Sequence, residues 1–441
     1  MRRARNAAAF CLLAIFAAAP RAAHAQSGQV SRTRVRVVSA REQALHDLLV
    51  QAKAAADSKD YAAAAADYEK YLAQKPDDAA AHFDLGYVYT AQQEKDQAIA
   101  QYRKAIALDP KMAQAYLNLG ISLTASDPKA AVAALEKAAA LNPSYEEGHY
   151  ILAIALAQTG ATPEAIKEFT IAVKLDPQDF AAHFQLATAE LSARNAAAAE
   201  TEFHAALKLK PNAAEAKLGL AQSLLQQKKN ADAAAALDDY LKDKPDDVHA
   251  HIMRASLLVD LGKNDDALAE LDRTAKVAPE TLEALKLRAV IYYREKDFAR
   301  AAAALQKAAA MAPQDAKIRA SLGHALLSEK DYAGAARELD QAFRLDPSSN
   351  DTLRDLVAAE YLGHNYPATL AVLNVLDQRE PPKAGAWFVR ATCYDHMGQD
   401  KAALDAYQKF LALNTDQTSD EYFEATGRIR FLKQAIKGPG R

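Results

Sequence analysis

The stretch Lys104–Pro110, KAIALDP, recurs along the chain with few changes. A close copy, KAAALNP, ends at Pro143, another, IAVKLDP, ends at Pro177, and another, QAFRLDP, ends at Pro347. Proline lacks a backbone N–H and disfavours the helical conformation in the residue before it, so each copy ends a helix at the same point. The motif therefore predicts one helix ending that the chain uses repeatedly.

The prolines of this motif are evenly spaced. Successive members are 34 residues apart, with a single step of 33, and only six of the 16 prolines lie outside the series. A period of this size indicates stacked supersecondary units rather than a single globule. The series is Pro76, Pro110, Pro143, Pro177, Pro211, Pro245, Pro279, Pro313, Pro347 and Pro381.

Three other positions keep the same period. Twelve residues before the proline stands an alanine, from Ala64 to Ala335, with Thr369 as the one departure. Eight residues before it stands a large apolar residue, and twenty-four before it alanine or glycine in most copies. Small residues let two helices approach closely, and large ones fill the space between them. Each copy is thus predicted to be helix A, a turn, helix B and a proline turn.

The turn between helices A and B carries its own signal in two copies. Pro128 follows Asp127, and Pro163 follows Thr162. A capping residue followed by proline is typical of a helix start. We therefore predict that Asp127 and Thr162 each cap a helix B.

This pattern resembles the tetratricopeptide repeat (TPR) family. The 34-residue step, the small residue in helix A, the alanine in helix B and the closing proline carry the resemblance, and residues 115–143 read like a consensus unit. The resemblance covers residues 45–417 in about eleven units, the last with Thr415 in place of proline. It implies an all-α fold, a superhelical solenoid of antiparallel helix pairs. Within the capping segment 418–441, residues 420–437 are predicted to form a solvating helix with a polar outer face.

The N-terminus reads as a targeting segment. Three arginines precede the uncharged, mostly apolar run 7–19, and AHAQS (residues 23–27) offers small residues at a cleavage site. This order is typical of a secretory signal peptide, here residues 1–25, and the run is too short to span a bilayer as a helix. We expect a chain that starts near Gln26 and a periplasmic or secreted location, in a bacterium.

The linker after the signal peptide, the two cysteines and the lack of a further long apolar run allow three more predictions. Residues 26–44 form an arginine-containing linker, Arg32 to Arg41, which is either a solvated tether or a tail that docks on an anionic surface. Cys11 is expected to leave with the signal peptide, so Cys393 has no intramolecular partner. No other run of 18 or more apolar residues occurs, and no membrane span is predicted.

Charge and motifs exclude several functions. The formal net charge is −3, whereas nucleic-acid binding calls for a basic stripe or a high pI. The chain has no H-E-x-x-H, G-x-S-x-G or G-x-x-x-x-G-K motif, so no catalytic activity and no cofactor are predicted. Four histidines share one slot of the repeat, and we interpret them as packing residues rather than metal ligands, because stacked repeats hold such side chains apart. They are His82, His149, His183 and His251.

The resemblance also implies a binding groove. The family binds extended peptides or partner helices on a concave face lined by helix A, and residues 27 and 23 before each proline belong to that face. Two interpretations stay open, because such residues also pack against neighbouring helices. The candidate groove residues are Phe83, Tyr87, Leu117, Asn118, Ile121, Tyr150, Ile154, Phe184 and Thr188.

Two further features bear on the groove. The slots that clamp a terminal carboxylate in some family members hold apolar residues here, and only Asn118 fits, so no such clamp is expected. The A helices of the later units carry charge, which indicates either a second, more polar binding zone or paired surface charge. These residues are Lys286, Arg294, Arg319 and Arg354.

Together these features predict a non-catalytic protein–protein interaction scaffold in the cell envelope. It would hold peptides or partner proteins during assembly or export of envelope components. The alternative is a regulatory or substrate-presenting subunit of an envelope enzyme.

Overall fold

The recurrent proline follows the end of a helix, as the sequence predicts. In the computed structural model, which describes residues 40–437, the helix before Pro110 ends at Leu108. Asp109 has an extended conformation with φ −129° and ψ 92°, which is the conformation that a following proline favours. Asp176 repeats this arrangement before Pro177, with φ −130° and ψ 92°.

The described residues form 23 α-helices and no strand, which confirms the all-α prediction. They divide after Pro110 into two compact units, and within each unit consecutive helices pack against one another. The first unit contains α1 (Ala40–Asp57), α2 (Tyr61–Leu72), α3 (Ala79–Ala91) and α4 (Lys95–Leu108).

The second unit contains nine A–B helix pairs followed by a final helix. They are α5 (Ala113–Leu123), α6 (Pro128–Leu141), α7 (Glu146–Gln158), α8 (Thr162–Leu175), α9 (Phe180–Ser192), α10 (Ala196–Leu209), α11 (Ala214–Gln226), α12 (Asn230–Asp243), α13 (Val248–Asp260), α14 (Asn264–Val277), α15 (Leu282–Arg294), α16 (Phe298–Met311), α17 (Ala316–Glu329), α18 (Tyr332–Leu345), α19 (Asn350–Leu362), α20 (Tyr366–Asp377), α21 (Ala384–His396), α22 (Asp400–Leu413) and α23 (Asp420–Lys437).

The periodic residues of helix B form the interior of each unit. The alanines twelve residues before the proline are at most 1% exposed, and the large residues eight before it are at most 7% exposed. The small residue of helix A faces this large residue. At Gly120, an added Cβ would lie 2.5 Å from Cγ of Leu135, so the two helices approach too closely there for any side chain without rearrangement.

Among the described residues, each turn from helix A to helix B except the shorter one after α5 contains a residue with positive φ, seventeen positions before the proline or the residue that replaces it. Lys228 (φ 59°) and Gly262 (φ 73°) are examples. After α11, the N–H of Lys229 donates to the Leu224 carbonyl at 3.0 Å, the bond that closes a Schellman ending. Most of these residues are not glycine, which is why the sequence did not reveal the position.

Of the two predicted caps, one is confirmed and one is wrong. The Asp127 carboxylate accepts the N–H of Ala130 at 3.1 Å, and Pro128 is the first residue of α6. Thr162, by contrast, is itself the first helical residue of α8, whose N-cap is Ala161. The Ala161 carbonyl accepts the N–H of Ala165, so the helix begins one residue earlier than predicted.

The ends of the described chain add two findings. Helix α1 begins at Ala40, inside the segment predicted as a linker, and α23 has the predicted bounds, Asp420–Lys437. The predicted signal peptide and most of the arginine-containing linker lie outside the described residues. Between residues 40 and 437, no helix combines the length and the apolarity needed to cross a membrane.

Candidate functional site

The candidate groove residues of the first unit lie on α3. The Phe83 ring packs against the Tyr102 ring of α4, with centroids 5.9 Å apart. Phe83 and Tyr87 are both half-buried. One side of Phe83 therefore belongs to the packing between helices A and B, and the other side faces outward.

The second unit repeats this arrangement on α7 and α9. The Tyr150 ring meets the edge of Phe169 on α8 at 5.9 Å, and Phe184 meets Phe203 on α10 at 6.0 Å. Tyr150 and Phe184 remain half-buried. The slot 27 residues before the proline thus has a structural role on one side and an accessible surface on the other.

The side chains one helical turn after Leu117, Tyr150 and Phe184 are more exposed to solvent. Ile121 on α5 is 38% exposed, Ile154 on α7 is half-buried, and Thr188 on α9 is exposed. The Thr188 hydroxyl donates to the Phe184 carbonyl at 2.8 Å, so its methyl group is left for contact. Ile121, Ile154 and Thr188 together form what we call the A-helix row, on three A helices in succession.

The two remaining candidates lie on α5. Leu117 is only 6% exposed and belongs to a buried cluster that includes Leu135. Asn118 is half-buried, and its backbone carbonyl accepts the Ser122 hydroxyl at 2.7 Å. Most of the Leu117 side chain is therefore used by the interior.

An acidic group lies at the start of α7, about two helical turns before Ile154 of the A-helix row. Glu146, the first residue of α7, is half-buried, and its Oε1 has no hydrogen-bond partner. Burial, followed by repulsion from Asp179 and Asp176, raises the pKa of the Glu146 carboxyl to about 7. Burial and the same acidic surroundings raise the pKa of Tyr150 to about 12. Negative potential is thus concentrated at this end of α7 and α9.

The shared histidine slot links consecutive repeats. His183 Nδ1 lies 2.6 Å from Oε2 of Glu202 on α10, and its Nε2 lies 3.2 Å from the Pro177 carbonyl at the end of the preceding repeat. His149 makes the same pair of contacts with Glu168 and Pro143. Both partners offer an oxygen acceptor to a ring nitrogen. The slot is buried, as expected for packing, but it also carries hydrogen bonds.

Arginine occupies the same slot in a later repeat. Arg319 Nε donates to the Pro313 carbonyl at 2.9 Å, and its Nη1 donates to Glu338 at 2.7 Å. The spacing of six residues to the proline and nineteen to the glutamate is that of His183. A basic residue with a glutamate nineteen positions later was the sequence signal for this link.

Two of the other three charged A-helix residues of the later units, Arg294 and Arg354, also have partners. Arg354 donates to Glu380 and to Asp351 at 2.8 Å and 2.6 Å. Arg294 donates to the Val259 carbonyl at 2.8 Å. These contacts favour the interpretation of paired surface charge over a second binding zone.

The later A helices also carry an aromatic group that the sequence analysis missed. The Tyr293 ring on α15 packs 5.5 Å from the His324 ring on α17, whose Nδ1 lies 3.1 Å from Oδ2 of Asp355 on α19. Tyr366 stacks on His396 at 4.7 Å. His324 occupies the slot 23 residues before the proline, whereas Tyr293 and His396 lie later in their A helices and Tyr366 is the first residue of helix B α20.

Two features of the described residues bear on metal binding and on thiol chemistry. Among residues 40–437, no group of three or more His, Cys, Asp or Glu side chains is arranged to hold a metal ion. Cys393 is fully buried, and burial raises the pKa of its thiol to about 11, so the reactive thiolate is disfavoured. The A-helix surface is thus equipped for binding through contact and charge.

Several solved structures are similar to the chain. YrrB, described as a TPR protein with an unusual peptide-binding site, is 23% identical over 42% of this chain and 95% of its own, with a TM-score of 0.40. PilF of Pseudomonas aeruginosa is 21% identical over 48% and 97%, with a TM-score of 0.38. Yeast Tom70 is 14% identical over 90% and 97%, with a TM-score of 0.32. No curated protein matches the sequence at a significant level.

Sequence models of one family match most of the repeats. A tetratricopeptide repeat model matches residues 122–180, 184–248 and 252–316, and further models of the same repeat match 86–125, 292–360 and 384–417. Together they cover more than half of the chain. The chain belongs to the tetratricopeptide repeat family, and its repeats form a scaffold for protein–protein interaction.

Proposed function

We propose that the second unit binds an extended segment of a partner protein along the A-helix row. The observation that carries this proposal is the exposure of Ile121 and Thr188 on either side of half-buried Ile154. Apolar side chains of a peptide gain about 25 cal/mol for each Å² that they remove from water on such a row. The half-buried rings of Tyr150 and Phe184 border the row and supply further apolar surface.

The acidic residues near the row indicate which kind of partner segment binds there. Glu146, Asp176 and Asp179 lie close enough to one another to raise the pKa of Glu146, so the starts of α7 and α9, about two helical turns from the row, are negative. A lysine or arginine of the ligand would relieve the repulsion among Glu146, Asp176 and Asp179. The preferred ligand is therefore a segment with apolar residues followed or preceded by a basic residue.

Selection from a random peptide library on the chain expressed from Gln26 tests this proposal. The row variant, Ile121→Lys with Thr188→Lys, should lose at least tenfold in affinity for the selected peptides, since each lysine places a charge on the apolar row. Leu175→Lys is the matched control, because Leu175 is 40% exposed at the end of helix B, against 38% for Ile121. Equal binding by the row variant and the control would reject the row as the site.

We also propose that the chain acts in the cell envelope after export. The support is the order of charged, apolar and small residues in positions 1–25. The intact mass of the protein purified from its native cells should correspond to a chain that starts near Gln26. A mass that includes residues 1–25, in protein recovered from the cytoplasm, would contradict export.

A further inference from the structure

The final helix has an outer face unlike the one that the sequence predicted. Its inner face, with Ala425, Ile429 and Leu432, is buried in a cluster that includes Tyr407 and Phe410 of α22. The outer face was expected to be polar. Instead, Phe423 is 63% exposed and Phe431 is 57% exposed; Phe423 is the most exposed large apolar side chain among the described residues, and Phe431 equals Val277 in second place.

Gly427 lies midway between these two phenylalanines. The three residues are spaced by four, so they occupy one stripe opposite the buried face. A Cβ built on Gly427 would have no atom within 4 Å. The stripe is therefore a shallow saddle, with a ring at each end and bare backbone in the middle, where another helix can approach closely.

The charges of α23 are separated about the same glycine. Before Gly427 the helix carries Asp420, Glu421 and Glu424 and no base, and after it only bases. Those bases are Arg428, Arg430, Lys433 and Lys437. Two such helices packed in parallel would oppose like charges, whereas two packed antiparallel would set each acidic half against a basic half.

We propose that α23 is a self-association surface on which α23 of a second copy packs antiparallel, centred on Gly427. An antiparallel pairing about Gly427 uses the same stripe on both copies, as an isologous twofold interface requires. In this pairing Phe423 of one copy lies beside Phe431 of the other. The contact removes from water the two phenylalanine rings that the fold leaves exposed on each copy.

The structure also indicates that the face is firmly supported. Arg428 Nε donates to Asp395 on α21 at 2.6 Å, and the Arg428 guanidinium lies 4.8 Å from the Phe431 ring centre. These contacts tie the basic half of the helix and one of its rings to the array. The helix is about 27 Å long at 1.5 Å per residue. A contact of this length is small for a stable dimer, so association should be weak and concentration-dependent.

Sedimentation of the chain expressed from Gln26 tests the proposal. The mass should double as the concentration rises, with a midpoint on the order of 10 µM. Phe423→Glu with Phe431→Glu should raise that midpoint at least tenfold without affecting the fold, because both rings are exposed. A chain that stays monomeric up to about 200 µM, or a dimer indifferent to these changes, would overturn the proposal.

A charge-swap experiment tests the antiparallel direction. One variant, Glu421→Lys with Glu424→Lys, places bases in both halves of the helix, and the other, Arg430→Glu with Lys433→Glu, places acids in both halves. Each variant alone should remain monomeric, and an equal mixture should form a mixed dimer. A mixture that stays monomeric would reject antiparallel pairing, as would a variant that dimerises alone.

Disulfide trapping tests the position of the twofold axis. Gly427→Cys should cross-link under mild oxidation, because the two new thiols face each other at the axis. Ala435→Cys is the control on the same helix, since it is exposed but eight residues from the axis, so its two thiols are far apart. The native Cys393 is buried and should not interfere. Equal trapping at both positions would overturn the assignment of Gly427 to the axis.

Discussion

The A helices near the start and the end of the second unit differ in chemistry although one repeat builds both. On α5, α7 and α9 the accessible row is Ile121, Ile154 and Thr188. On α15, α17 and α19 the slot holds Val290, His324 and Ala358, next to Tyr293 and paired arginines. Beneath these surfaces, the alanine and large apolar slots of helix B are equally buried at both ends. The repeat therefore preserves the interior and leaves the A-helix surface free to vary.

The prediction with the largest expected effect tests whether the early and late repeats have equally packed interiors. Ala165→Leu and Ala335→Leu each add three carbons to a site with 0% exposure, one in each region. Overpacking should cost about 1–3 kcal/mol in both. Hydrogen exchange of the two regions measures the local loss, since a repeat array unfolds in parts. If one region tolerates leucine and the other does not, the two interiors differ after all.

The next effect concerns the links between repeats. His183→Leu should cost about 1–2 kcal/mol, because it leaves the Glu202 carboxylate and the Pro177 carbonyl without their donor. Leucine itself fits the slot, since Leu285 occupies it elsewhere with 2% exposure. His183→Arg should retain most of the stability, because Arg319 makes the same two contacts. Equal melting curves for the leucine and arginine variants would show that the slot needs only bulk.

A pH effect is expected at the early region alone. The pKa of the Glu146 carboxyl is raised to about 7, so the folded chain keeps a proton that the unfolded chain releases near pH 4.5. The stability that the protonated Glu146 carboxyl contributes to the folded chain is therefore fully present below about pH 4.5 and is lost as the pH rises through 7. Between pH 5 and pH 8 the free energy of unfolding of Glu146→Gln should therefore fall by about 1 kcal/mol less than that of the unmodified chain, after allowance for solvent screening.

Thermal unfolding at several pH values measures this difference. Glu164→Gln is the control, because Glu164 is an exposed glutamate in the first turn of the next helix. A Glu146→Gln variant that follows the pH profile of the unmodified chain would contradict the assigned repulsion.

The smallest effect lies in the turns between helices A and B, which are alike in both regions. Lys228→Gly should stabilise by about 0.5 kcal/mol, since glycine adopts the positive φ at this position without strain. Gly262→Ala, at the same position of the next repeat, should destabilise by about 1 kcal/mol. Thermal melts of both variants provide the measurement, and changes of the same sign would show that backbone strain does not govern these turns.

Part of the site was predictable from the sequence. The proline and alanine periods located the A helices, and hence the slots of Phe83, Tyr150 and Phe184. The period says nothing about how much of each side chain its neighbours cover, so the burial of Leu117 and the exposure of Ile121 emerged only in the structure. The prediction that Thr162 caps α8 was wrong because the Ala161 carbonyl accepts the N–H of Ala165, so α8 begins one residue earlier.

The sequence by itself determined the helix pairs, their order and the interior, because those depend on local helix signals and on a repeated pattern of small and large residues. Only the tertiary structure decided how side chains from separate helices meet. It paired His183 with Glu202, concentrated charge around Glu146, and left Phe423 and Phe431 exposed on the last helix. These features depend on distances between elements that are far apart in the chain, which composition and periodicity do not specify.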